Sequence, residues 1–166
     1  TKYHKAYFDL YSNVWRHGDY ILIHGDTGGV TFYGRSDAVL KPSGVRIGTA
    51  EIYAQMENLE EIADSLAIGQ NYQEDQRVIL FVKLVEGHSL TDELKNKIKK
   101  TLREKASPRH VPAVILETPD IPYTLNMKKV ESAVTNIVNG RAVSNKDALI
   151  NPESLEYYEK ILPELK

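Results

Sequence analysis

The chain of 166 residues contains no cysteine, which excludes disulfide staples, thiolate metal sites and a cysteine nucleophile. It lacks any apolar run of the roughly 18 residues that a membrane-spanning helix needs, and "TKYHKAYFDL" at its start has no apolar core of a secretion signal. Charge of one sign is missing too. The 21 Lys and Arg stand against 23 Asp and Glu, and a formal net charge of −2 gives no overall attraction to nucleic acid or to an anionic membrane. There is no internal repeat and no low-complexity stretch. His4, His17, His24, His88 and His110 are scattered without ligand-pair spacing, so no metal site is expected, and no Gly-x-Ser-x-Gly, phosphate-loop or paired-glycine dinucleotide motif is present. The expectation is a soluble, cytoplasmic domain, 42% hydrophobic and 27% charged.

What is present alternates between two periods. Residues 19–34, "DYILIHGDTGGVTFYG", place β-branched and aromatic residues on both sides of a run of turn formers, which predicts a hairpin. Residues 1–18 are aromatic and polar without a clean period. Thr49 is positioned to cap a helix reaching to about residue 58, with Glu51 in its first turn. "RVILFVKLV" (77–85) predicts a strand, residues 89–106 a helix with Leu90, Leu94, Ile98 and Leu102 on one stripe, and "AVILE" (113–117) a short strand. Met127, Val130, Val134, Ile137 and Val138 predict a helix over 127–139, closed by Asn139-Gly140, and a last helix covers 152–161. The class is α+β: a small C-terminal domain, with a short mixed sheet flanked by helices, preceded by the hairpin.

Four places combine residue types that suit phosphate or sugar chemistry. Asp19 follows Gly18 at the mouth of a strand; it reads as a turn aspartate or as a carboxylate able to accept two hydroxyls of a vicinal diol. "GRSDAVLKPSGVRIG" gathers Arg35, Asp37, Lys41, Gly44 and Arg46, as a solvated hairpin or as a glycine turn approached by a ligand, with Arg46 a fork for phosphate. Residues 92–110 carry seven Lys or Arg against three acids, a solvated helix face or a phosphate-holding patch that includes Arg103. In "IPYTLNMKKVE" the predicted helix opens on Lys128 and Lys129, where the dipole disfavours cations by about 0.3–1 kcal/mol each. That cost is recovered where an anion binds at the turn.

Taken in order, "HGDY", "YGRSDAVLKPSGVRIGTAEIY" and "PYTLNMKK" resemble the three C-terminal motifs of the adenylate-forming acyl-coenzyme A synthetases: Gly-Asp, then Gly-Arg-x-Asp with Lys, Gly, Arg and Glu-Ile, then Pro-x-Thr-x-x-Gly-Lys. Further likeness in "KYHKAYF", "SPRHVP", "ILET" and "NPESLEYY" extends over essentially the whole chain and points to the branch that activates a short 3-keto acid, acetoacetate. The resemblance implies that residues 1–36 close a larger N-terminal adenylate-binding domain absent from this sequence, and that 37–166 form a mobile C-terminal domain. It implies ATP/AMP and coenzyme A as ligands, and Mg2+ held mainly by that absent domain.

Residue by residue, the resemblance gives Asp19 the ribose hydroxyls with Arg35 beside it, Asp37 the hinge, Gly44 the pantetheine path, Arg46 the phosphate region and Arg103 the 3′-phosphate of coenzyme A. Lys128 becomes the catalytic cation between the α-phosphate and the attacking carboxylate, and Lys129 its ordinary solvated neighbour. Met127 stands where the family usually has glycine. The implied chemistry is acyl-adenylate formation followed by thioester formation, with the small domain swinging between two orientations. On this reading the chain alone is inactive. The alternative is a stand-alone nucleotide-binding, coenzyme A-binding or interaction module without catalysis.

Overall fold

In the computed structural model, which describes residues 1–36, 38–143 and 146–165, the chain runs α1 (Lys2–Tyr7), β1 (Asp19–Ile23), β2 (Val30–Arg35), α2 (Thr49–Met56), β3 (Ile62–Tyr72), β4 (Asp75–Leu84), α3 (Asp92–Lys105), β5 (Val114–Glu117), α4 (Glu131–Val138) and α5 (Ser154–Lys160). The strands form two sheets, β1-β2 and β3-β4-β5. In the larger one β3 and β4 are antiparallel, while β4 and β5 are parallel. A parallel pair needs a crossover rather than a tight turn, and α3 supplies it. The α+β class with a short mixed sheet is what the sequence predicts.

The central strand explains the architecture. Val78, Leu80 and Val82 of β4 face one core with Ile52 and Met56 of α2 and Leu94, Ile98 and Leu102 of α3. Ile79 and Phe81 face a second core with Val134 and Ile137 of α4 and Leu155 and Tyr158 of α5. A strand covered on both faces has no solvent side, which is why "RVILFVKLV" is apolar at successive positions instead of alternating. Each such side chain contributes about 1.5–3 kcal/mol on burial. On the second face Phe81 meets Tyr158 edge to face, with ring centroids 4.9 Å apart.

Several boundaries differ from expectation for identifiable reasons. β3 was not predicted; its Asp64, Ser65, Gly69 and Gln70 break the apolar pattern, yet the strand is mostly buried. Thr49 does not cap α2: it is the first helical residue, Gly48 is the cap, and the Glu51 carboxylate accepts the Gly48 N–H at 3.2 Å. α1 was also unforeseen. α4 begins at Glu131, not at residue 127, because residues 122–130 fold back on themselves first. α3 ends close to expectation but begins at Asp92 instead of residue 89, because Thr91 caps it by accepting from the Leu94 N–H, with acids in the first turn and Arg103 and Lys105 in the last.

The β1-β2 hairpin pairs Asp19 with Arg35 and leaves Ile23 and Phe32 more than 60% exposed. It meets the remainder of the chain at Gly48, where a Cβ would stand only 2.4 Å from the Tyr33 carbonyl oxygen. No helix among the described residues is long and apolar enough to cross a membrane.

Candidate functional site

The two lysines sit on a tight hairpin turn, not in a helix. The Met127 N–H donates to the Thr124 carbonyl at 2.8 Å, the Thr124 N–H to the Lys128 carbonyl at 2.9 Å, and the Lys128 N–H to Thr124 Oγ1 at 3.2 Å. Tyr123 and Lys129 then pair as an antiparallel bridge, and the Val130 N–H closes on the Pro122 carbonyl. The turn requires a left-handed residue, and Met127 takes that conformation with φ 57°. This is the backbone geometry for which glycine carries no steric penalty. The apparent conflict of lysines with a helix dipole therefore disappears, since the dipole begins only at Glu131.

Lys128 is exposed and lines a cleft of about 270 Å³ together with Arg35, Ala38, Thr124, Lys129 and Glu131. Arg35 arrives there from the end of β2. One of its guanidinium nitrogens donates to the His17 carbonyl at 3.1 Å and stands 4.0 Å from Asp19, whose other oxygen is 2.5 Å from His17 Nδ1. Gly18 (φ 88°) lets the guanidinium lie close, because a Cβ would be 3.1 Å from it. Asp19 and Arg35 are thus neighbours around His17, and Arg35 and Lys128 line one cleft in which Glu131 also stands.

The other predicted residues lie elsewhere. Gly44 (φ 75°) ends a short helical turn, Pro42–Gly44, whose Ser43 N–H donates to the Asp75 carboxylate at 3.0 Å; a Cβ at Gly44 would meet nothing within 4 Å. Hydrogen bonds from Gln76 N–H and from Ser43 hold the Asp75 carboxyl below its ordinary range. Arg46 is exposed in a separate cleft of about 350 Å³ between the hairpin and the main body, with Tyr20, Tyr33, Glu51, Arg109 and His110. Buried His110 there lies 3.1 Å from Glu51 and 2.8 Å from Ser107 Oγ. Arg103 is exposed on the last turn of α3 and lines neither cleft. Asp37, the expected hinge, falls outside the described residues.

Lys129 is not the solvated neighbour expected of it. Its Nζ is 2.6 Å from Asp64 Oδ1, donates to the Ser65 carbonyl at 2.8 Å and lies 4.2 Å from the centroid of the Tyr53 ring. The Tyr123 hydroxyl donates to the second Asp64 oxygen at 2.6 Å. Burial, then the Asp64 carboxylate, push the Tyr123 phenol well above its ordinary range, so it remains a donor. Burial and Glu131 do the same for Tyr53, whose hydroxyl donates to Glu131 at 3.0 Å. Among the described residues no group of three or more His, Asp or Glu is arranged to hold a metal ion.

No family model matches the chain. Its whole length is 53% identical over 168 aligned residues to the acetoacetyl-coenzyme A synthetase of Rhizobium meliloti and 50% identical over 167 to that of Danio rerio, and it spans 25% of each. Among solved structures, the acetoacetyl-CoA synthetase from Streptomyces lividans matches 99% of the chain with a TM-score of 0.88 and 40% identity, the chain covering 25% of that protein.

Proposed function

Because the chain is homologous along its whole length to the acetoacetyl-CoA synthetases and spans a quarter of theirs, we propose that it is the C-terminal portion of an ATP-dependent acetoacetate–CoA ligase. The observation that carries this reading is the meeting of Arg35 and Lys128, from two distant motifs, in one cleft. An acetoacetate carboxylate oxygen attacks the α-phosphorus of ATP, the bond to pyrophosphate breaks, and charge accumulates on the phosphoryl oxygens. The Lys128 ammonium opposes that charge. The coenzyme A sulfur then attacks the acyl carbon of the adenylate, and AMP leaves.

In this reading residues 1–36 belong with the larger N-terminal part, and the exposed apolar side chains of Ile23 and Phe32 support such packing. Residues 37–166 form the mobile domain, with Asp37 as its pivot. Asp19 accepts ribose hydroxyls, Arg46 serves the phosphates in one orientation, and Gly44, open on its Cβ side, lines the pantetheine path in the other. Arg103 takes the 3′-phosphate of coenzyme A. Mg2+ accompanying ATP and a cytoplasmic setting complete the reading; no step depends on metal ligands from this chain.

The test is Lys128→Ala in the full-length protein. Acetoacetate-dependent pyrophosphate release falls by about 10²–10³-fold, as on removing a principal donor to developing charge, while thioester formation from supplied acetoacetyl-adenylate persists. Equal loss of both steps refutes the assignment of Lys128. Binding of AMP or coenzyme A at micromolar strength by the 166-residue chain alone favours a stand-alone module instead.

A further inference from the structure

We infer that Asp64, Tyr123 and Lys129 form a clamp whose task is to position Lys128 for the adenylation step. This rests on the role proposed above for Lys128. Tyr123 and Lys129 are the paired residues at the two feet of the Thr124–Lys128 turn, and both feet close on one carboxylate, each on its own oxygen at 2.6 Å. A turn bolted at both stems to the same group cannot twist or slide against β3 without breaking a charge-assisted bond.

The carboxylate is itself aimed by an irregularity of the sheet. The register between β3 and β4 shifts between Ile62 and Asp64, and a bulge of this kind re-aims the side chain that follows it. Asp64 is thereby turned toward the turn at residues 123–129 and is only about one-fifth exposed, as is Lys129. Lys129 has no donor capacity to spare for a substrate: its ammonium serves Asp64, the Ser65 carbonyl and the Tyr53 ring. Its neighbour Lys128, one residue away on the same turn, is exposed. Two adjacent lysines thus divide the work, one anchoring the turn and one reaching from it.

The side of the turn away from Asp64 is held as well. The Tyr123 N–H donates to Asn151 Oδ1 at 3.0 Å, and the Leu125 N–H to the Ala148 carbonyl at 3.2 Å. The stems are therefore fixed while the tip of the Lys128 side chain keeps its freedom. A misplacement of the turn by about 1 Å is enough to cost a large factor in rate when the reacting groups must be aligned.

The experiment uses the full-length protein with Asp64→Asn, Lys129→Met, Lys129→Arg and Tyr123→Phe, measured for acetoacetate-dependent pyrophosphate release and, separately, for thioester formation from supplied acetoacetyl-adenylate. Asp64→Asn and Lys129→Met lower kcat of the first step about tenfold or more and leave the second within about twofold; Lys129→Arg, which keeps the charge, recovers part of the loss. Residues acting through one group are not additive, so Asp64→Asn combined with Lys128→Ala is no slower than Lys128→Ala alone. Loss shared equally by both steps, or a multiplicative loss in the double variant, overturns the clamp. If Asp64→Asn does not fold, Tyr123→Phe removes a single hydroxyl and keeps the ring; it slows the first step selectively and speeds amide exchange in residues 124–128, and no change in either overturns the proposal. Lys128→Ala separates the two levels of inference. Should it leave pyrophosphate release intact, the role of Lys128 falls and the clamp with it; should it abolish release while Asp64→Asn and Lys129→Met do not slow it, the clamp alone falls.

Discussion

Gly48→Ala tests whether the β1-β2 hairpin rests where its contacts put it. The Gly48 backbone is extended, with φ −86° and ψ 140°, so alanine fits its dihedral angles. In open space the exchange would stabilise the fold by about 0.4–1 kcal/mol, by restricting the unfolded chain. Gly48 is not in open space: the new methyl would stand 2.4 Å from the Tyr33 carbonyl oxygen and 2.8 Å from its Cβ. Ordinary van der Waals contact begins at 3.4 Å, so a separation of roughly 1 Å must open between two backbones, neither of which has a flexible end to move. Overpacking costs about 1–3 kcal/mol. After the unfolded-state gain is subtracted, the net expectation is a loss of about 0.5–2 kcal/mol. Urea unfolding of the 166-residue chain, with hydrogen exchange across residues 19–35, measures both the loss and any lifting of the hairpin. Gly25→Ala is the control, since a Cβ there meets nothing within 4 Å, and it gains about 0.4–1 kcal/mol. If Gly48→Ala gains as much, with hairpin exchange unchanged, the packing of Tyr33 on Gly48 is refuted. The approach of Arg35 to Lys128 falls with it.

Two further perturbations probe other parts of the structure. Met127→Gly relieves a left-handed penalty of about 1–2 kcal/mol and gives back about 0.4–1 to the unfolded chain; with the Met127 side chain 68% exposed, little burial is lost. The urea midpoint rises accordingly, and a fall equivalent to about 1 kcal/mol would show that the turn is not left-handed at residue 127. At Asp120 burial pushes the carboxyl up, but hydrogen bonds from Lys83, at 2.7 Å, and from Asn151 outweigh it and hold it below its ordinary 3.8. A depressed folded value means that the stabilisation is fully present above the unfolded pKa and is lost as pH falls through the folded one. The stability of Asp120→Asn therefore declines less steeply than that of the parent chain below about pH 4, which acid titration of the urea midpoint measures; an unchanged slope contradicts the depression.

What could be read from the residues alone divides along a physical line. β4 and the α3 stripe were legible because apolar burial writes itself into local spacing. The Asp19–Arg35 approach is implied by the family resemblance and not by the hairpin alone, because the β1-β2 register shifts between Tyr20 and Ile21 before it reaches that pair. β3 was hidden because several of its polar groups are satisfied far away: Gln70 donates to the Leu165 carbonyl at 3.0 Å and receives Arg77 at 2.7 Å. The anchoring of Lys129 is hidden for the same reason. Its partner Asp64 lies in that unrecognised strand, and no local pattern brings the two together. The spacing predicts an early start for α4 because Met127 and Val130 continue the helical period through residues that the Tyr123–Lys129 bridge draws into a turn. The signal that could have corrected it was the single departure from the family motif, a methionine at a position that calls for glycine.

The sheet that is covered on both sides also partitions the interior. The backbone of three strands separates most side chains beneath α2 and α3 from those beneath α4 and α5, and Tyr53 of α2 links the two sides through its hydrogen bond to Glu131 of α4. A change of volume deep in one compartment is absorbed chiefly by its own helices, whereas one that shifts Tyr53 is handed on to Glu131 and Lys129. The lysine turn draws on both compartments, since Tyr123 packs with the α4 and α5 side while Lys129 rests over the Tyr53 ring on the α2 side, so sequence drift in either half of the interior is felt at that turn.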